Sequence, residues 1–180
     1  EGGTQDIYVQ IVADSGAAEV NDGSSTYGGF TNPSNNVPDG THDIGSWSTP
    51  TSDSQRPAWW VYTNLLDGWN YLANANPSYV MPQQKASWKL NHDAAFGFLD
   101  GAGTHYHPGG DIHLDGRTGL GPGGGHANAP DVILHEYGHA VMYRVYSNYI
   151  PPAPSCSPHW ITDQSSTGCA WIEGWANYFP

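Results

Sequence analysis

The 180-residue chain is 38% hydrophobic and 13% aromatic, which is enough apolar material for one domain with a core of its own. Five basic residues against 17 acidic ones give a net charge of −12, which argues against nucleic acid or an anionic membrane surface as a partner. No apolar run approaches the roughly 20 residues of a membrane-spanning helix. The chain opens with Glu1-Gly2-Gly3 and shows no signal peptide, so we expect a mature or excised form.

The first 75 residues predict a strand, a long loop region and a helix. Residues 5–13 mix β-branched residues with partial alternation, which is typical of a strand. Residues 15–57 are rich in Gly, Ser, Asn, Asp and Pro and predict a surface loop region that has room for short strands. From Ala58 to Ala75 apolar and aromatic residues recur at helical spacing, and Pro77 ends the pattern. We expect this helix to pack behind the sheet.

The middle of the chain predicts short strands joined by turns. Tyr79–Met81 and Ala86–Leu90 are two such strands, and residues 95–99 are a weaker one, followed by a turn at 100–103. The glycine-rich run 119–125 lacks the Lys-Ser/Thr ending of a phosphate-binding loop, so it predicts a flexible link into the next helix.

The next helix carries the chemistry. The run Val132–Met142 contains His135-Glu136-x-x-His139, which places two imidazoles one turn apart on one helix face. Such a pair binds zinc at about 2.0–2.1 Å, and Glu136 projects beside it, within reach of a water on the ion. The alternative is a buried amphipathic helix whose histidines merely pair with polar neighbours. Asn128-Ala129-Pro130-Asp131 forms a suitable helix start, and Pro151 begins a proline-rich break after it.

Two histidines need a third protein ligand to hold a catalytic zinc. One continuation of the motif, His-x-x-Gly-x-x-His, is ruled out because Met142 and Val145 occupy the corresponding positions. Downstream, Glu173 is the one glutamate that follows Glu136, and it lies in the text Cys-Ala-Trp-Ile-Glu-Gly-Trp-Ala-Asn.

In its HEYGH and EGWA motifs the chain resembles the gluzincins, the thermolysin-like zinc metallopeptidases, and in particular secreted bacterial members, from about residue 111 to 179. The resemblance implies that His135, His139 and Glu173 are zinc ligands and that Glu136 is the general base. In the family an Asp four residues after the ligand Glu orients a zinc-bound His. Here that position is Asn177, which can accept a hydrogen bond but carries no charge.

The resemblance also implies an α+β, zincin-like fold for residues 1–180 as a single catalytic domain. We expect a small twisted mixed sheet, with Gly110–Gly116 as the edge strand over the substrate cleft, and two helices that carry the ligands. Gluzincins stabilise the oxyanion with a His or Tyr from a later C-terminal lobe, and we expect that lobe to be absent here. The candidates left to replace that group, among which nothing in the sequence selects, are Tyr143, His159 and Tyr178.

Two cysteines, Cys156 and Cys169, lie between the two ligand-bearing helices. In an extracellular protein an even number of cysteines predicts a disulfide, here closing an insertion at 149–170. Zinc ligation by the pair is the alternative, but no His or Cys partner lies at zinc-finger spacing. The disulfide and the acidity favour a secreted or cell-surface location.

Two acidic clusters and one histidine group are further candidates for metal sites. Residues 39–43 and 111–115 offer oxygen ligands for calcium, but neither has EF-hand spacing, so solvated acidic loops are the favoured interpretation. His105, His107 and His113 raise the question of a second transition metal, although surface or cleft histidines are commoner than such a site.

Together these features predict a secreted zinc endopeptidase that acts on proteins or peptides, with Glu136 as general base. The competing hypothesis is a catalytically silent zincin-fold domain with a structural or adhesive extracellular role. The intact Glu136 argues against that hypothesis, because a structural zinc site does not need the carboxylate. A third hypothesis, a carbohydrate-binding β-domain using exposed tryptophans, leaves the His-Glu-x-x-His helix unexplained.

Overall fold

The computed structural model describes residues 3–43, 45–46, 48, 53–93, 103–117, 125–154, 156 and 164–179. Within those ranges short strands and helices are mixed, so the chain has an α+β fold, as the sequence predicts. In chain order the elements are β1 (Gln5–Ile7), β2 (Gln10–Val12), β3 (Ala18–Asn21), β4 (Gly28–Phe30), β5 (Ser34–Val37), α1 (Arg56–Ala75), β6 (Gln84–Trp88), β7 (His105–Tyr106), β8 (Ile112–Leu114), a 3₁₀ turn (Gly125–Asn128), α2 (Pro130–Val145) and α3 (Thr167–Tyr178).

Four of the strands form one mixed sheet in the order β3, β6, β8, β7. The first three run parallel, and β7 runs antiparallel to β8 at one edge. Their register aligns a row of buried side chains across the sheet: Val20, Ala86, Ile112 and Tyr106. Helix α1 lies in the connection from β3 to β6 and packs on this face together with α2. A parallel pair needs such a long crossover, and the helix covers the apolar row.

The N-terminal segments differ from their predicted form. Residues 5–13, predicted as one strand, form two: β1 pairs with β5 and β2 pairs with β4, both antiparallel. The predicted loop region 15–57 contains these partner strands and also β3, which belongs to the main sheet. Ala18 and Val20 of β3 are fully buried. They are the apolar half of a four-residue strand, and two positions are too few for the alternation to stand out in the sequence.

The helix predicted at 58–75 is α1, but its buried face differs from the predicted aromatic stripe. Small and aliphatic residues lie at the centre of the contact: Ala58, Val61, Leu65 and Gly68. The large apolar residues flank this line and are only partly buried: Trp59, Tyr62, Leu66, Trp69 and Leu72. A Cβ on Gly68 would lie 2.9 Å from Cδ1 of Tyr137 on α2, so the ring of Tyr137 occupies the space that a side chain at position 68 would need.

We expect Gly68→Ala to lower the free energy of unfolding by about 1–3 kcal/mol, because the added methyl group overpacks the contact between α1 and α2. The intrinsic preference of a helix for alanine over glycine, about 1 kcal/mol, offsets part of this cost. Gly174→Ala is the matched control, since Gly174 lies in α3 and a Cβ there would meet nothing within 4 Å. Urea denaturation measures the free energy of unfolding of both variants. An equal increase in that free energy in both variants would contradict the close packing at Gly68.

The edge of the sheet is also different from the prediction. The segment Gly110–Gly116 was expected at the edge, but its strand β8 lies between β6 and β7. The edge strand is β7, which is two residues long and therefore too short to be recognised from alternation. Tyr79–Met81, predicted as a strand, is irregular. The Met81 carbonyl accepts a hydrogen bond of 2.9 Å from Nε1 of Trp69, which ties this segment to α1.

Some predicted features lie outside the described residues: the strand 95–99, most of the turn 100–103 and most of the link 119–125. Among the residues that are described, no helix combines the length and apolar character that crossing a membrane requires.

Candidate metal centre

Helix α2 positions the His-Glu-x-x-His motif. Pro130 starts the helix, Asp131 lies in its first turn and Arg144 in its last, as the helix dipole favours. The residue that caps the helix is Ala129, which makes no side-chain capping hydrogen bond. One face is buried in the core through Ile133, Tyr137, Ala140 and Val141. The motif histidines lie off this buried face and are partly open to solvent.

Helix α3 positions Glu173. Its N-cap is Ser166, whose Oγ accepts a hydrogen bond of 3.2 Å from the Cys169 backbone N–H. The predicted disulfide between Cys156 and Cys169 is confirmed, with an S–S distance of 2.06 Å. Cys169 precedes Glu173 by four residues, so both side chains lie on the same helix face. The Sγ of Cys156 lies 3.9 Å from Oε1 of Glu173, and the disulfide therefore borders the carboxylate directly.

The two helices meet backbone to backbone at Gly138, inside the motif. A Cβ on Gly138 would lie 3.0 Å from Cα of Ala176, which is tighter than most Cβ contacts, so the two helices would have to move apart by a few tenths of an ångström. Nε1 of Trp175 donates a hydrogen bond of 3.0 Å to the Gly138 carbonyl and aligns α3 against α2. This close approach carries Glu173 to the two motif histidines.

The three predicted ligands converge on one point. Oε2 of Glu173 lies 3.2 Å from Nε2 of His135 and 3.5 Å from Nε2 of His139. All three donor atoms lie within 4.8 Å of one another, and no other group of three or more His, Cys, Asp or Glu side chains in the described part of the chain meets this criterion. Two imidazole nitrogens and one carboxylate oxygen in this arrangement suit a zinc ion with an open position for water.

Asn177 occupies the supporting position that the resemblance assigns to it. Its Oδ1 lies 3.1 Å from Nδ1 of His135. Because an amide oxygen only accepts hydrogen bonds, Nδ1 carries the proton, and the lone pair of Nε2 faces Glu173 and His139. Burial opposes protonation of His135, but the hydrogen bond with Glu173 and the charges of Glu136 and Glu173 outweigh it and raise its pKa. The surroundings therefore favour positive charge at this point.

We expect the Asn177 amide to support metal binding at this centre. We expect Asn177→Ala to raise the zinc dissociation constant by about tenfold or more, because His135 loses the group that orients its ring. Asn177→Asp keeps the acceptor and adds a charge, so it will bind zinc at least as tightly as the native protein. Competition with a chromophoric chelator measures both. Equal affinity in all three proteins would show that the contact between Asn177 and His135 does not support the metal.

A cleft of about 250 Å³ opens over the three donors. Its lining residues are Thr104, His105, Tyr106, His135, Glu136, His139, Ile150, Ile172 and Glu173. Glu136 is only 7% exposed, and what remains accessible of it faces this cleft. A larger pocket of about 410 Å³ lies beside the start of α1. Its described lining is Trp59, Trp60, Arg56 and two hydroxyl residues, none of which is suited to acid–base work.

The candidates for oxyanion stabilisation are not brought to the cleft by the described structure. Tyr143 packs against the ring of Tyr106, with its hydroxyl next to Gly109. Tyr178 is 88% exposed and projects into solvent. His159 lies outside the described residues.

The acidic clusters considered for calcium are engaged in other contacts or exposed. Asp115 is fully buried and holds Arg117 by hydrogen bonds of 3.0 Å from Nε; burial opposes its ionisation, but these bonds outweigh it and lower its pKa. Oδ2 of Asp111 accepts a hydrogen bond from Ser87. Asp39 and Asp43 are exposed. Calcium binding stays a prediction.

Several residues of the site were not singled out from the sequence. Ile150 and Ile172 form apolar walls of the cleft, and Thr104 and Tyr106 belong to the short edge strand region. The contact of Gly138 with Ala176 was also missed, although both residues lie within the HEYGH and EGWA motifs. The small residues of the two motifs could have indicated this contact, because helix backbones approach each other closely where side chains are small.

Comparison with known proteins identifies one family. Residues 73–180 match the model of the mycolysin C-terminal domain, which spans more than half of the chain. The matched region contains β6, β7, β8, α2 and α3, and with them every residue of the proposed metal centre. No curated protein and no solved structure matches the chain.

Proposed function

Since the chain belongs to the mycolysin C-terminal domain family, a family of peptidase-associated domains, we propose that it is a zinc-dependent endopeptidase with a zincin-like fold. The observation that carries the proposal is the convergence of His135, His139 and Glu173 on one point, with Glu136 in the same cleft. The family match supports the association with peptidases, and the chemistry is argued from the side chains.

The donor set fits zinc in both type and charge. Two imidazole nitrogens and one carboxylate oxygen form a catalytic ligand set that leaves one position for water or substrate. Glu173 cancels one of the two positive charges of the ion, so a net charge of +1 remains at the site. Asn177 holds His135 in the tautomer that offers Nε2 to the metal.

When bound, zinc lowers the pKa of water towards about 7 and polarises the scissile carbonyl group. Glu136 acts as the general base: its carboxylate takes a proton from the attacking water and then delivers it to the nitrogen of the leaving amine. Its low exposure in the cleft suits this role, because few solvent molecules compete for the carboxylate.

The substrate is an extended protein or peptide segment. Strand β7 borders the cleft and, among the described strands, pairs only with β8. Its outer edge can therefore hydrogen-bond the backbone of a peptide as an added strand. The edge that binds substrate in this proposal is β7 and not β8.

We place the protein outside the cell. Its family occurs in secreted peptidases, and a disulfide bond is stable in an oxidising environment. The net charge of −12 suits solubility there and opposes binding to nucleic acid.

A second candidate function is a catalytically silent domain with a structural or adhesive role. The family is described as a C-terminal domain, which does not by itself imply catalysis, and this match supports the silent alternative better than it supports turnover. The exposed aromatic side chains Trp171 and Tyr178 on α3 suit a surface that binds other molecules. Retention of Glu136 beside the metal ligands favours the enzyme.

The test measures zinc and turnover on the same preparation. Zinc-loaded protein is incubated with a quenched fluorescent casein, and zinc is counted per chain. The proposal expects one tightly bound zinc, hydrolysis that a chelator abolishes, and recovery when zinc is returned. His139→Gln, which removes one ligand, is expected to lose the tight zinc and the activity together. Tight zinc without hydrolysis would support the silent domain, and no tight zinc would overturn the ligand assignment.

A further inference from the structure

A second group of histidines lies on the hairpin formed by β7 and β8. His105 in β7 and His113 in β8 are register partners of an antiparallel pair, so their side chains share one face of the sheet. The ring of His107 lies parallel to that of His113, with centroids 6.3 Å apart. The peptide hydrolysis proposed above assigns no role to the side chains of these three residues.

The geometry of His105 and His113 repeats that of the first ligand pair. Their ring centroids are 4.8 Å apart with an interplanar angle of 80°, and those of His135 and His139 are 4.8 Å apart at 89°. Nε2 of His105 lies 3.2 Å from Nδ1 of His113. For an ion about 2.0–2.1 Å from both nitrogens, the nitrogen–ion–nitrogen angle would be about 100–105°, which is close to the tetrahedral angle.

The tautomer of His105 is also the one that a metal ligand needs. Its Nδ1 lies 2.7 Å from the carbonyl oxygen of Gly103. A carbonyl oxygen only accepts hydrogen bonds, so Nδ1 of His105 carries a proton and the lone pair of its Nε2 accepts the hydrogen bond from Nδ1 of His113. A metal ion bound between the two nitrogens would displace that proton of His113 to solvent. A ligating histidine usually donates its other ring N–H to a carbonyl or carboxylate in this way, as His135 does to Asn177.

From this geometry we propose that Nε2 of His105 and Nδ1 of His113 are two ligands of a second transition-metal site. Imidazole nitrogen suits zinc and its neighbours copper and nickel and not calcium or magnesium. His113 is 2% exposed and held by the sheet, and His105 lines the cleft, from which an ion can enter. The described residues supply two ligands here and three at the first site, so we expect this site to bind its ion less tightly and to fill after the first.

The test is a titration of the metal-free full chain with zinc chloride, followed by calorimetry. The native protein is expected to bind one zinc tightly and a second more weakly. His105→Gln will weaken the second equivalent by at least about tenfold and leave the first unchanged, because it removes a ligand of the second site alone. His42→Gln is the matched control, since His42 is exposed and lines a pocket formed by N-terminal residues, none of which belongs to the hairpin. It will leave both equivalents unchanged.

Imidazole ¹⁵N chemical shifts provide a readout that does not depend on a variant. The proposal expects the signals of His105 Nε2 and His113 Nδ1 to shift together as the second equivalent is added. A native protein that binds one zinc only, or shifts confined to His135 and His139, would overturn it and leave the 3.2 Å contact as a hydrogen bond. A native protein that binds zinc weakly at His105 and His113 but shows no tight first equivalent would overturn the peptidase proposal and leave the second-site proposal standing.

Discussion

Glu136→Gln is expected to abolish casein hydrolysis while the protein still binds one zinc tightly. The substitution keeps the size of the side chain and removes the carboxylate that accepts the proton, so we expect the rate to fall by about 10²–10⁴-fold or more. Glu136 contributes no donor atom to the cluster of His135, His139 and Glu173, and the metal is therefore retained. Steady-state hydrolysis and zinc content, measured on one preparation, separate the two effects.

The comparison with a ligand variant makes this result specific. Glu173→Gln exchanges the carboxylate that faces both histidines for a neutral amide, and it is expected to lose zinc and activity together. Glu136→Gln loses activity alone. Full hydrolysis by Glu136→Gln would exclude this residue as the base. Loss of zinc in Glu136→Gln would show that its carboxylate helps to hold the metal and would leave its role as base unsupported.

Removing the disulfide is expected to cost both stability and metal affinity. Cys156 and Cys169 are 13 residues apart, and opening a loop of that size lowers the free energy of unfolding by about 3 kcal/mol through the entropy of the unfolded chain. Cys169 lies one helical turn before Glu173, and the Sγ of Cys156 is 3.9 Å from its Oε1. The double variant Cys156→Ser/Cys169→Ser will therefore bind zinc more weakly as well as melt at a lower temperature.

The control for the disulfide is chemical. A dithiol reductant applied to the native protein should reproduce the loss of stability and of zinc affinity, and the same reductant should leave the double serine variant unchanged. Thermal unfolding, followed by circular dichroism, and competition with a chelator measure the two effects. A variant that unfolds at a lower temperature but binds zinc with native affinity would show that the disulfide stabilises the fold without positioning Glu173.

What could be predicted from the sequence was mainly local in origin. The spacing of His135 and His139 determines their common helix face before any tertiary contact forms, because four residues are about one helical turn. Glu173 was found as the single glutamate after Glu136, and Cys156 had one possible partner in the chain. The histidine spacing and the cysteine pairing needed only a helical repeat or a count, whereas the ligand role of Glu173 came from the resemblance of its EGWA motif to the gluzincins. The helix limits at Pro130 and near Pro77 follow from local backbone chemistry as well.

The tertiary structure decided which segments meet. Two of these meetings are the pairing of His105 with His113 in short strands and the contact of Gly138 with Ala176, which are far apart in sequence. The edge position of β7 is a third such feature, because a two-residue strand is too short to show a pattern. The buried face of α1 was also decided by tertiary packing. Gly68 and Val61 are buried in the core, and the larger aromatic residues of the helix are only partly buried. A sequence states which residues are apolar or small. How closely two backbones approach depends on the packing of the whole chain, and that distance selects the residues that meet.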